Sequence, residues 1–170
     1  NYLALEKKKS DAIGIVASHR ISPGQLFLID EVMKEVPHLA YNVETWKTDE
    51  FPFVFLISGS NPDEIHKVLK DIFVRFNRRA IQGITAYFNA FPTRFLVQNL
   101  RLENQEAVAV LEGVSTFDSI GLLDRLFKQK SHSRIRFQIK SEYLLLQGEP
   151  ETVKGMISHL KQDADWLFTD

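Results

Sequence analysis

The side chains that could do chemistry are scattered along this sequence. The five histidines, His19, His38, His66, His132 and His159, show no His-x-x-x-His spacing. Two imidazoles one helical turn apart could share a metal, so without that spacing surface histidines are the ordinary reading. There is no Cys, which removes disulfides, thiolate metal sites and a thiolate-held iron–sulfur cluster. Neither a Gly-x-Ser-x-Gly elbow nor a phosphate-cradling glycine loop is present. Asp49 and Glu50 are adjacent carboxylates. In a strand they would face opposite sides, a poor geometry for an acid–base pair. We therefore expect no catalytic residues, no metal, no cofactor and no enzyme.

Two further groups carry charge in a pattern. Arg75, Arg78 and Arg79 interleave with Phe73, Phe76 and Tyr87, a mixture that can hold single-stranded nucleic acid by charge and stacking. The run is short and supplies few phosphate contacts, so a solvated basic helix end is the better reading. The net charge of -1 agrees, since nucleic-acid binders show a basic excess. The second group is Asp30 with Lys34 and Asp124 with Lys128, each an i,i+4 pair suited to an exposed helix.

These groups need elements to position them, and the sequence repeats its elements. The chain has 170 residues, 44% hydrophobic and 25% charged, with thirteen Phe. That supports one large or two small globular modules rather than disorder. No apolar run approaches the roughly 18 residues of a membrane span, and the start, with Lys7, Lys8 and Lys9, has no signal-peptide core. We expect a cytoplasmic protein without membrane or nucleic-acid partners.

Asp11-Ala12-Ile13-Gly14-Ile15-Val16 returns 95 positions later as Glu106-Ala107-Val108-Ala109-Val110-Leu111. Both runs predict strands buried on both faces. Leu26, Ile29, Asp30, Met33 and Lys34 return at an offset of 94 as Ile120, Leu123, Asp124, Phe127 and Lys128. In each copy the apolar members fall on one helix face. Tyr41, Val43 and Thr45 match Ile135, Phe137 and Ile139 at the same offset, with the period-2 pattern of a strand. Phe55 to Gly59 match Leu144 to Gly148 at 89, so the second copy lacks five residues, aligned with Lys47 to Phe51. Last come helices on Ile65, Val68, Leu69 and Ile72, and on Val153, Met156, Ile157 and Leu160, each behind a turn with Pro62 or Pro150.

Each copy therefore predicts strand, helix, strand, strand, helix. The fold class is α+β, two tandem copies of a small sheet with helices on one face. The central strands form a hairpin, and the first helix joins strands that lie parallel. The domains are 11–100 and 101–170. Arg75 to Leu100 is too apolar for a linker, and we expect a short helix and strand completing the first copy.

This order of elements resembles the tandem-domain bacterial microcompartment shell protein family. The residues that carry the resemblance are Ala12-Ile13-Gly14, Asp30 with Lys34, and Gly59 before the Ile65 helix, then Ala107, Asp124 with Lys128, and Gly148. It covers nearly the whole chain after residue 10. It implies a structural wall subunit, a homotrimer forming a pseudo-hexamer that tiles with other microcompartment shell proteins. Lys34 and Lys128, with Asp30 and Asp124, would lie at the edge between neighbouring oligomers. Lys47, Thr48, Asp49, Glu50 and Phe51 match the loop that rims the central pore, where three acidic pairs would repel anions or bind a cation. The sequence departs from the family in having no Gly in that loop, no Arg-Pro-His at the domain's end, and bulky Phe27, Phe73 and Phe127 on its helices. The alternative is a small-molecule-binding regulatory module built from two duplicated α+β domains, with its ligand between the copies.

Overall fold

The computed structural model describes residues 12–20, 22–44, 52–129 and 134–168. Twelve elements follow in order: β1 (Ala12–Ser18), α1 (Pro23–Lys34), β2 (Ala40–Glu44), β3 (Phe53–Gly59), α2 (Pro62–Ala80), β4 (Thr85–Asn89), α3 (Arg94–Asn99), β5 (Ala107–Glu112), α4 (Thr116–Gln129), β6 (Arg136–Ile139), β7 (Tyr143–Gly148) and α5 (Pro150–Phe168). The protein is α+β, with two antiparallel sheets ordered β1-β3-β2 and β4-β5-β7-β6. Both hairpins form, and β1 and β2 run parallel to each other because each is antiparallel to β3 between them.

The chain divides into two compact units. One holds the elements up to Ile81 together with Arg94–Arg101, and the other holds Gln82–Thr93 and the chain from Leu102. The apolar segment after α2 is packed structure, but it is shared. Its helix α3 lies against α1 in the first unit, and its strand β4 pairs with β5 in the second. The expected strand thus completes the second unit rather than the first.

In the first unit, α2 starts at Pro62, where a missing N–H costs nothing. The Asn61 side-chain oxygen accepts from the Asp63 N–H at 3.0 Å. Asp63 and Glu64 lie in the first turn and Arg78 and Arg79 in the last, each favourable to the helix dipole. Ile65, Val68 and Ile72 bury one stripe of α2. Gly14 lets that stripe approach: a Cβ there would stand 2.4 Å from Leu69 Cδ1 and 2.7 Å from Ile65 Cγ2. The second unit packs Ala109, Leu111, Leu144 and Leu146 against Leu122, Leu126, Val153 and Leu160 of α4 and α5. Gly113 ends β5 with φ +88, a left-handed backbone that favours glycine. Its N–H donates to the Glu142 carbonyl at 2.9 Å.

Register refines the repeat. Gly14 stands opposite Ile57, as Ala109 stands opposite Leu146, which agrees with offsets of 95 and 89. Yet Tyr41 stands opposite Ile57 while Phe137, not Ile135, stands opposite Leu146. Tyr41 therefore matches Phe137 and Val43 matches Ile139, two residues beyond the sequence alignment. On this register the second hairpin lacks seven residues rather than five: its offset falls from 96 at the first hairpin strand to 89 at the second.

Two burial expectations are corrected. Strand β5 is buried on both faces, but β1 leaves Ile13 and Ile15 at 48% and 54% exposure. On α4 the buried face is Ser119, Leu122, Leu123 and Leu126, so of the three apolar residues expected there only Leu123 is inside.

Candidate functional site

The pore-loop residues Lys47, Thr48, Asp49, Glu50 and Phe51 lie outside the described residues. The four charged residues of the candidate subunit edge are all described. Asp30 and Lys34 occupy the second half of α1, where the helix repeat puts them on one side one turn apart. Lys34 Nζ is 3.0 Å from Asp30 Oδ2. In the second copy Lys128 Nζ donates to Asp124 Oδ2 at 2.6 Å. Both pairs close as their spacing predicts.

Their surroundings differ. The Asp30 side chain is 3% exposed and Lys34 is 52% exposed, so the carboxylate is inside and the ammonium reaches out. Asp124 and Lys128 are 59% and 74% exposed. The cause lies in what each helix packs on. Helix α1 packs on α2 and α3, and its Leu26, Phe27, Asp30 and Met33 are buried. Helix α4 packs on α5, β6 and β7, and it leaves Phe117, Ile120 and Phe127 exposed at 84%, 54% and 46%. A Cβ added at Gly121 would meet nothing within 4 Å. Phe127 makes an edge-on contact with Phe137, ring centres 5.2 Å apart.

In the basic group of α2, Arg75 is tied up by carboxylates. Arg75 Nε donates to Asp71 Oδ1 at 3.0 Å, and Arg75 lies 3.6 Å from Glu31 of α1. The hydrogen bond to Asp71 is the main reason its guanidinium pKa is raised. A guanidinium engaged by two carboxylates is a weak phosphate ligand.

His38 meets Glu64 at 2.7 Å and His159 lies 3.5 Å from Asp163. Among the described residues no three His, Asp or Glu side chains gather as metal donors. A groove of about 290 Å³ lies between α4 and α5, lined by Leu126, Gln129, Glu151, Thr152, Met156 and His159. It sits within the second unit. No described helix is long and apolar enough to cross a membrane.

Sequence reasoning missed the solvent-facing apolar residues Ile13, Ile15 and Phe117. The only signal available was the repeat itself, which pairs Ile13 and Ile15 with Val108 and Val110 but does not report burial.

No family model matches the chain. None of the curated proteins matches it either. Solved structures do. One is a crystal structure of a trimeric bacterial microcompartment shell protein, PduB, with TM-score 0.56 and 13% identity over 91% of this chain and 79% of that one. Another is EtuB from Clostridium kluyveri, with TM-score 0.63 and 9% identity over 95% of this chain and 80% of that one. The likeness is one of fold, and it runs through both units of this chain.

Proposed function

We propose that this chain is a structural subunit of a bacterial microcompartment shell, acting in the cytoplasm as part of a protein wall and not as an enzyme. The observation that carries the reading is the likeness to PduB, a trimeric shell protein, over 91% of this chain at TM-score 0.56. The repeated strand, helix, hairpin and helix supports it from the sequence side.

In this reading three chains form a pseudo-hexamer of six similar modules. Lys34 and Lys128, with Asp30 and Asp124, lie at the edge towards neighbouring oligomers and other shell proteins. The exposure of both ammonium groups suits that role. Lys47, Thr48, Asp49, Glu50 and Phe51 rim a central pore that controls metabolite passage, with the acidic pair disfavouring anions. The subunit needs no cofactor.

The test is the solution mass of the purified chain by light scattering behind a sizing column. A trimer of about 59 kDa, three times the 19.6 kDa chain, is expected. A stable monomer or dimer at concentrations where a trimer should form would overturn the reading and favour a small-molecule-binding regulatory module.

A further inference from the structure

The seam between the two long helices of each unit follows one plan with its charges exchanged. The offset of 88 that carries Ile65 to Val153 also carries Asp71 to His159 and Arg75 to Asp163, and the offset of 94 carries Glu31 to Arg125. In the first unit a cation sits between two carboxylates, with Arg75 3.0 Å from Asp71 and 3.6 Å from Glu31. In the second a carboxylate sits between two bases, with Asp163 3.5 Å from His159 and 3.7 Å from Arg125. Arg125 also lies 5.4 Å from the centre of the Trp166 ring, a cation–π contact that helps to place it.

The second seam is the looser one. Arg75 and Asp71 share a hydrogen bond. Arg125 Nε, His159 Nε2 and Asp163 Oδ2 are buried and make no hydrogen bond among the described residues. Unmade bonds at buried polar atoms cost stability and call for a reason. Beside them α5 carries Gly155 where α2 has Lys67. A glycine inside a helix is less stable than alanine. Nothing stands within 4 Å of where its Cβ would be, so packing does not require it. Its bare backbone leaves open the groove of about 290 Å³ between α4 and α5, close to the roughly 300 Å³ at which small-molecule sites begin.

The lining sets the chemistry of an occupant. Leu126 and Met156 supply apolar surface, and Glu151 supplies a negative charge. Glu151, Gly155 and His159 follow at intervals of four along α5, so they share one side of the helix. His159 turns Nε2 towards Asp163. With its proton on that nitrogen, its Nδ1 is an acceptor. The groove therefore offers an acceptor at each end of an apolar stretch, about 12 Å apart along the helix axis for eight residues. A molecule that satisfies both has a donor at each end, and the end at Glu151 is cationic.

We infer that this groove binds a small amine with an apolar body and a hydroxyl at its far end. The ammonium group meets Glu151, the body lies over Gly155 against Leu126 and Met156, and the hydroxyl donates to His159. The site belongs to the second unit alone, so it holds or fails independently of the shell reading.

The experiment titrates the full-length, nitrogen-15-labelled chain with tyramine, with phenethylamine, which lacks the hydroxyl, and with phloretate, which carries a carboxylate in place of the amine. Tyramine is expected to shift the amide signals of Gly155 and His159 and to saturate in the millimolar range of so small a probe. Phenethylamine should bind several-fold more weakly and phloretate not at all. Glu151→Gln should weaken tyramine about tenfold, the loss of one charge-assisted bond. Gly155→Leu fills the groove without a clash and should abolish the shifts. Glu151 is exposed, so its variant carries the test even if Gly155→Leu misfolds. No saturable shift, phloretate or phenethylamine equal to tyramine, or undiminished tyramine binding in either folded variant would overturn the assignment.

Discussion

Asp30 and Lys34 form an ion pair of 3.0 Å in which the carboxylate is buried and the ammonium is half-exposed. The repeat keeps the pair in Asp124 and Lys128 but leaves both groups in solvent. A carboxylate held inside the protein contributes to stability differently from one at the surface. Asp30→Ala is expected to cost about 2–3 kcal/mol, because polar groups around the buried carboxylate lose their partner. Asp124→Ala should stay within about 0.5 kcal/mol. Urea denaturation of both variants at one protein concentration checks this, and equal losses would contradict the difference in environment.

The approach of α2 to β1 depends on Gly14. An added Cβ would collide with Leu69 and Ile65, so Gly14→Ala should destabilise by about 1–3 kcal/mol through overpacking. Gly155, inside α5, has open space around its missing Cβ. Gly155→Ala should stabilise by about 0.5–1 kcal/mol, since alanine loses less backbone freedom in a helix. Thermal melts moving in opposite directions would bear out both statements. A neutral Gly14→Ala would mean the helix sits further from the strand.

Much of this architecture was legible in the sequence. The i, i+3, i+4, i+7 stripes at Ile65 and Val153 became buried helix faces, and the Asp–Lys spacing became two closed ion pairs. Three features were not legible, each for a physical reason. Ile135, Phe137 and Ile139 alternate evenly, so a two-residue slip leaves every side chain on its own face and alters no pattern. Strand β4 follows α2 directly in the chain but finds its hydrogen-bond partners in β5, which is a tertiary choice. Ile120 and Phe127 read as core because an apolar helix position looks the same whether or not something covers it. Of the candidate site, the four edge residues stand where helix periodicity put them, while the five pore residues lie outside the described residues.

The start of α5 titrates. The Glu149 carboxylate accepts from the Thr152 hydroxyl at 2.6 Å, from the Thr152 N–H at 2.9 Å and from the Glu151 N–H at 3.1 Å. These bonds, led by the hydroxyl, hold its pKa below the usual carboxylate range. A lowered folded-state pKa means the stabilisation is full above the unfolded value and fades as pH falls through the folded value. Melting temperature should therefore fall below about pH 4.5, and part of that fall should disappear in Glu149→Gln. Parallel melting curves for the two proteins from pH 6 to pH 3 would remove Glu149 from the account.

If Lys34 and Lys128 lie at the edge between oligomers, replacing both should change tiling and not assembly. Lys34→Ala with Lys128→Ala is expected to leave the mass at the trimer value and to abolish extended sheets formed by the native chain at high concentration. Electron microscopy reads the sheets and light scattering reads the mass. Sheets unchanged in the double variant would move the edge elsewhere.

The most direct test of the central claim is the symmetry of the particle. Class averages of the negatively stained native protein should show a flat three-fold assembly of six similar lobes around an axial opening. Averages with two-fold symmetry, or single particles the size of one chain, would contradict a shell subunit built from two repeats.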